Sequence, residues 1–363
     1  MPGGMELKNE VLAGPACSLC GACLDWCPFI KNIEDRIAIA FDCVCQEGRC
    51  YSVCPRTMTD WEDLAAAFTG GEASDAGNVM EIWKARAAMP AAGKQDGGTV
   101  SALVETALAT GLGSAALLTG SADGVTPEPK LVKLPEEVRQ NAGSRFLSAP
   151  SFRKLIEAAK GGEKALTAVG RPCQIQALRK LQAAHPEQLG ENVTAIGLFC
   201  MWSLSWRFQE AVARMAPGLK IKRITIPQHG VEVETDQGVL SIPTAEARGM
   251  VSPGCAYCLD MTAELADISV GALEAEPGWN TVLIRSPRGK ALFERAVGNG
   301  AIEVMPYPMQ EFERLKSAST GKKIRAAGAI QAAAGSGRIK PFVDLAKPVY
   351  QALGAAQEGQ VNG

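Results

Sequence analysis

From residue 94 onward, short apolar runs closed by glycine alternate with longer stretches whose apolar residues recur at helical spacing. Residues 99–110 read as a helix stopped by Gly111. "SAALLTG" and "KALTAVG" read as buried strands, "CQIQALRKLQAAHP" as an amphipathic helix, "NVTAIGLFC" as another buried strand and "SLSWRFQEAVARMAPG" as another helix. Strands alternating with helices predict a mainly parallel α/β sheet. "KRITIPQHGVEVETDQGVLSIP" then alternates with period two around His-Gly and Asp-Gln-Gly turns, which predicts an antiparallel insertion.

A different kind of sequence precedes this pattern. A short helix in "TDWEDLAAAFTGG" gives way to a stretch rich in Gly, Ser and Asp near residues 69–78, and that change of composition marks a boundary. "VMEIWKARAAMP" reads as a connecting helix. The expected organisation is a small N-terminal domain over 1–62, a linker and connecting helix over 63–93, a larger α/β domain over 94–350 and a flexible tail over 351–363. The chain has 363 residues, 47% of them hydrophobic, which is enough to bury two cores.

Charge removes several function classes. The 37 basic and 39 acidic residues leave a net charge of −2 with no long block of either sign. Neither a nucleic-acid backbone nor an anionic membrane surface has an electrostatic footprint to meet. The longest weakly polar stretch, residues 106–122, falls short of the roughly 20 apolar residues of a spanning helix. "MPGGMELKNE" lacks the apolar core of a signal peptide, so a cytoplasmic location is expected.

The candidate chemistry lies in 12 cysteines set against only two histidines. A reducing compartment and a chain of this length argue against a disulfide framework and for metal. "CSLCGACLDWCP" carries Cys17, Cys20, Cys23 and Cys27; "CVCQEGRCYSVCP" carries Cys43, Cys45, Cys50 and Cys54. Structural zinc, the first rival, uses two CxxC pairs a dozen or more residues apart. The first run instead follows the bacterial-ferredoxin pattern CxxCxxCxxxCP, in which three thiolates hold one cubane and the fourth crosses to the other. On that rule Cys17, Cys20, Cys23 and Cys54 hold one 4Fe-4S cluster, and Cys43, Cys45, Cys50 and Cys27 hold a second. The second run is spaced CxCxxxxC, so the pairing within it is less regular than the count.

Cys173 and Cys200 each sit where a buried strand passes into a helix, at the sheet edge where α/β proteins place ligands. Cys255 and Cys258 form a CxxC knuckle. Spacing alone leaves two readings open: a third shared cluster, or two core cysteines beside a separate knuckle. "KQDGGTVSALVETAL" places Lys94, Gln95, Asp96, Gly97, Gly98 and Thr99 ahead of a helix, offering free amides and close approach to an anion, or simply a helix-start loop. Ser144 and Arg145 in "AGSRF" suit a diphosphate or an ordinary surface turn. Lys94 and Arg171 are further candidate phosphate or flavin contacts. His185 and His229 read as surface residues beside turns.

Six blocks occur in a familiar order: "KQDGGTVSALVETAL", "AGSRF", "VGRPCQIQALRKL", "IGLFC", "CAYCLD" and "ADISVGALEAEPGWNTVLIRSPRGKALFERAVGNGAIEV". Over about residues 94–315 the chain resembles the family of beta subunits of coenzyme F420-reducing hydrogenases and F420- or NAD-linked formate dehydrogenases. The resemblance implies a domain that binds FAD and a 4Fe-4S cluster held by Cys173, Cys200, Cys255 and Cys258. It also implies flavin contacts in the Lys94–Thr99 block, at Ser144, Arg145 and Arg171, and at Asn280 and Thr281. "GALEAEPGWNT" departs from the family, which has a glycine–acid–glycine turn there.

The expected protein is an α/β and α+β chain: a ferredoxin-like module with two clusters followed by a flavin-binding domain with a third. It would serve as an electron-transfer subunit of a cytoplasmic oxidoreductase, with FAD exchanging hydride with coenzyme F420 or NAD(P). Its implied partners are a formate dehydrogenase, a hydrogenase or a heterodisulfide-reductase-like module, with ferredoxin as a further electron carrier. No side chain need act as an acid or base. The alternatives are a non-catalytic relay subunit and a zinc-stabilised interaction module.

Overall fold

The computed structural model describes residues 2–71, 75–89, 96–163, 165–190, 192–227 and 229–353. Its largest element is an eight-stranded sheet. The strands are β3 (Glu81–Ala87), β4 (Ala115–Gly120), β5 (Glu128–Val132), β6 (Leu166–Gly170), β7 (Val193–Leu198), β11 (Ile268–Ala272), β12 (Asn280–Ile284) and β13 (Ile302–Pro306). They lie side by side in the order β13-β3-β12-β11-β7-β6-β4-β5. β4, β6, β7 and β11 pair in parallel, as the alternating pattern predicts, and β6 is buried along its whole length. The remaining pairings are antiparallel. Because β12 opposes both β11 and β3, the carboxyl ends of β3, β4, β6, β7 and β11 share one edge with the start of β12.

One expected element is wrong in type. The segment "VMEIWKARAAMP" supplies β3, a strand, where the local pattern predicts a connecting helix. Its Lys-Ala-Arg-Ala run suits a helix locally, but β12 and β13 satisfy its backbone on both sides. Ala85 and Ala87 then pack under the helix Thr99–Ala109, while Trp83 stacks on Phe293. Pairing on two edges outweighs an intrinsic preference of a few tenths of a kcal/mol per residue.

The predicted antiparallel insertion is a three-stranded sheet of β8 (Ile221–Thr225), β9 (Gly230–Thr235) and β10 (Val239–Pro243). It closes a separate core with Phe208 and Val212 of the helix Trp206–Met215. The N-terminal region contributes a hairpin of β1 (Ile30–Ile33) and β2 (Arg36–Ile39) and short helical turns.

Both faces of the large sheet are covered. On one, the helices Thr99–Ala109 and Pro287–Gly298 pack on alternate sheet residues such as Ala116, Ile196 and Val282. On the other, the helix Pro172–Ala184 lies between the sheet and the cysteine-rich region, so Cys20, Ala22, Val53 and Leu64 share a core with Leu117 and Leu178. A 27-residue helix, Met309–Gly335, which no periodicity argument picked out, joins Ile330 and Ala333 to Leu7, Val11 and Leu24 in a further core. No helix among the described residues is long and apolar enough to cross a membrane.

Candidate iron–sulfur and flavin sites

The thiols lie in adjoining neighbourhoods, with Cys173 acting on Cys17 and Cys20, and Cys50 acting on Cys23. Burial pushes the Cys17 thiol up to about 11, with Cys54 adding to it. Burial also raises Cys20 and Cys23; Cys173 adds most to Cys20, ahead of Cys54 and Cys17, and Cys20, Cys54, Cys17 and Cys50 add to Cys23. Cys50 is pushed up to about 11 by burial and then by Cys27 and Cys43; Cys45 is raised by Cys43 and Cys27. Thus Cys27 of the first run stands with the second set, while Cys54 of the second run stands with the first. Cys45 is exposed, whereas Cys20, Cys23, Cys50 and Cys54 are buried.

The third neighbourhood forms where β6 and β7 end. Cys173 opens the helix after β6, Cys200 follows β7, and Cys255 and Cys258 come from the turn Pro253–Tyr257 and the residue after it. Burial pushes Cys200 up to about 12, with repulsion from Cys255 and Cys258, and Cys255 is raised by burial, Cys258 and Cys173. Burial acts against the Cys258 thiolate too, but Lys322 and Arg56 outweigh it and lower its pKa. Among the described residues no three His, Cys, Asp or Glu side chains converge tightly enough to share one ion.

Buried cations surround these thiols, and sequence reasoning missed three of them. Lys322 donates to the carbonyls of Cys200 (2.6 Å) and Asp260 (2.8 Å). Lys180 donates to Thr57 and Thr59 hydroxyls and to the Thr57 and Met58 carbonyls; burial lowers its pKa to about 8 against the pull of Cys54. Arg56 follows the Cys54-Pro55 end, a position that could have flagged it. Arg171, expected as a phosphate or flavin contact, bonds Ser203 and the Ala149 carbonyl through its guanidinium and faces Cys173, Cys200, Cys255 and Cys20. Burial opposes its charge, and those thiols more than restore it.

The glycine block forms a second feature on the same sheet edge. Gly98 caps the helix Thr99–Ala109 at φ 77°, a left-handed conformation that glycine adopts without strain. The Asn280 Oδ1 accepts from the Thr99 amide (3.3 Å), and Asn280 Nδ2 donates to the Gly271 carbonyl (3.3 Å). The Thr99 hydroxyl donates to the Ala85 carbonyl, and the Thr281 hydroxyl meets Tyr307 Oη at 3.0 Å. A Cβ on Gly97 would lie 2.6 Å from Asn280 Oδ1 and 3.0 Å from the Gly278 carbonyl. Asp96 is half-buried, which raises its carboxyl pKa. Lys94 and Gln95 lie outside the described residues.

Ser144 is exposed, and Arg145 donates to the Ser144 and Ala142 carbonyls while its buried Nε has no partner. Among the described residues the Arg145 donor is unpartnered, and Gly97 packs tightly against Asn280 and the Gly278 carbonyl; each is a feature an anionic cofactor could use. Trp279, in the loop that departs from the expected pattern, is flanked by Lys84 at 5.0 Å and Arg86 at 4.6 Å from its ring centre. His229 is exposed as expected, but His185 is not a surface residue: its Nε2 meets Ser52 Oγ at 2.7 Å beside Trp26.

Comparison with known proteins links both features. Residues 82–155 match the family model for the N-terminal part of the coenzyme F420 hydrogenase/dehydrogenase beta subunit, and residues 163–310 match that for its C-terminal part. The coenzyme F420 hydrogenase subunit beta of Methanosarcina barkeri is 31% identical over 223 residues, covering 58% of this chain and 76% of the relative. One subunit of the F420H2 dehydrogenase of Methanosarcina mazei is 27% identical over 315 residues, covering 84% of this chain and 88% of the relative. A chain from the structure of the F420-reducing NiFe hydrogenase complex of Methanosarcina barkeri superposes with a TM-score of 0.66 at 27% identity, covering 72% of this chain and 94% of that one. The two models span the third cysteine set and the glycine cradle but not the eight N-terminal cysteines. The chain belongs to the family of coenzyme F420 hydrogenase/dehydrogenase beta subunits.

Proposed function

We propose that this chain is an iron–sulfur flavoprotein subunit that carries electrons between a catalytic partner and a soluble hydride carrier. Three 4Fe-4S clusters are held by Cys17, Cys20, Cys23 and Cys54, by Cys27, Cys43, Cys45 and Cys50, and by Cys173, Cys200, Cys255 and Cys258. The observation that carries this reading is the convergence of the third set and the Gly97–Asn280 cradle on one sheet edge, with the N-terminal sets packed behind it.

Clusters pass single electrons and a hydride carrier takes two, so a bound flavin supplies the junction between them. The chain's own residues bind and orient. Gly97 lets its loop pack closely against Asn280 and the Gly278 carbonyl, Gly98 and Thr99 present a helix start to an anion, and Asn280 fixes that loop against β11 through Gly271. Arg145 supplies a charge-assisted donor. Arg171, Lys180, Arg56 and Lys322 offset the negative charge of the thiolates, and no proton transfer by a side chain is required. Coenzyme F420 is the favoured carrier, since the relatives are named for it and the chain has no GxGxxG dinucleotide fingerprint.

Anaerobic purification followed by iron, sulfide and flavin analysis tests the cofactor content. About twelve irons, about twelve sulfides and about one FAD per chain are expected for three cubanes. About eight irons would remove the third cluster, and a flavin-free preparation that does not take up FAD would remove the hydride role.

A further inference from the structure

Arg56 occupies an unusual position for an arginine. It is 4% exposed, so its charge is wholly removed from water. Its backbone N–H donates to Cys54 Sγ at 3.4 Å, its Nη1 to the Pro55 carbonyl and its Nη2 to the Gly254 carbonyl, and its guanidinium lies 5.0 Å from the Phe342 ring centre. Among the described residues its Nε has no hydrogen-bond partner, while its guanidinium hydrogen-bonds the Cys258 side chain. It lines one small cavity together with Cys173, Cys258, Gln176 and Phe342. Asp260 lines that cavity too; its Oδ2 accepts from the Glu264 amide, and the charges that act on its carboxyl are Lys322, Arg285 and Lys323. The charges that act on Arg56 are the thiols of Cys258, Cys173 and Cys54.

A buried cation without a carboxylate costs several kcal/mol unless another anion answers it. Here the groups placed to answer it, once they ligate iron as thiolates, belong to two different cysteine sets: Cys54, and Cys173 with Cys258 on the shared cavity. Reduction of a cluster adds a negative charge, which a fixed cation nearby favours, more strongly in a dry interior than in water.

We propose that Arg56 is a potential-setting residue shared by the Cys17/Cys20/Cys23/Cys54 cluster and the Cys173/Cys200/Cys255/Cys258 cluster, raising both potentials together and so making both easier to reduce while keeping their difference unchanged. This rests on the three-cluster reading above. Arg56 is a positioning residue: it holds no iron and touches no hydride carrier.

The test is an anaerobic redox titration of the purified holoprotein followed by electron paramagnetic resonance, on the natural chain, Arg56→Lys and Arg56→Gln, with iron content measured on each. With iron unchanged, Arg56→Gln should make both of these clusters about tenfold harder to reduce, a downward shift of about 59 mV for a one-electron couple. The Cys27/Cys43/Cys45/Cys50 cluster should keep its potential, and Arg56→Lys should keep all three. Unmoved potentials, a shift in only one of the two clusters, or an equal shift in all three would overturn the proposal. Should Arg56→Gln lose iron, Arg56→Lys decides: natural potentials support the charge role, and shifted ones contradict it. About eight irons in the natural chain would instead sink the three-cluster reading itself, so the two failures are distinguishable.

Discussion

At the scale of single residues, small side chains and buried charges set the chemistry, and each makes its own prediction. Gly97→Val should abolish FAD binding while leaving iron content unchanged, because a Cβ there already sits 2.6 Å from Asn280 Oδ1 and a branched side chain fills the cradle; full flavin occupancy in this variant would misplace the loop. Glu264 offers a pH signature. Burial pushes its carboxyl from an ordinary 4.5 up to about 7 despite Lys323 at 2.8 Å, with Asp260 raising it further and Arg285 lowering it. The folded state therefore holds a proton that the unfolded state releases above 4.5. This contribution is complete below that pH and is lost as pH rises through about 7. The loss is on the order of 3 kcal/mol. Glu264→Gln should show less decline in guanidinium midpoint between pH 5 and pH 8 than the natural chain, and an equal decline would contradict the assignment. The cysteine runs stand out in the sequence because their spacing is local. Arg56, Lys180 and Lys322 do not, since a lone basic residue reads as solvated surface and only tertiary packing turns these three inward.

At the scale of elements, the helix Pro172–Ala184 explains why the sequence was only partly readable. Its pattern is amphipathic, yet Gln174, Arg179, Lys180 and Gln182 on the polar side are buried as well, under the cysteine-rich region and the β11 end of the sheet. The strand β3 was misread for the complementary reason: its partners β12 and β13 lie about two hundred residues away, and no local signal announces them. Parallel strands β4, β6 and β7, by contrast, were legible because burial on both faces leaves a continuous apolar run. Asp267 locks two of these layers together. It accepts from Arg179 Nη2 (2.9 Å), the Ala195 amide (2.7 Å) and the Ser286 hydroxyl (2.5 Å). Asp267→Ala should destabilise the fold by about 3–5 kcal/mol by stranding Arg179 in the core, read as a lowered guanidinium midpoint; a change under about 1 kcal/mol, the range of exposed pairs, would contradict a buried lock.

At the scale of the whole molecule, the cysteine-rich region and the sheet are not independent cores, since Cys20 packs among sheet residues and Leu7 and Val11 pack on the C-terminal helix. A Cys20→Ser change therefore risks the sheet itself. The exposed Cys45 is the cleaner probe: Cys45→Ser should lower iron and electron exchange with a protein partner while FAD stays bound, and loss of FAD with it would contradict the separation of the two sites. The third cysteine set and the Gly97–Asn280 loop share one sheet edge, and Cys20 of the N-terminal region packs in the core behind it. On the proposed function, electrons that enter through iron leave as hydride. The direct measurement is anaerobic turnover of the viologen-reduced protein with coenzyme F420, NAD, NADP and ferredoxin, each offered separately. Reduction of one of the three hydride carriers, with F420 fastest, is the predicted result; turnover with ferredoxin and with none of the three would contradict hydride exchange and leave a one-electron relay.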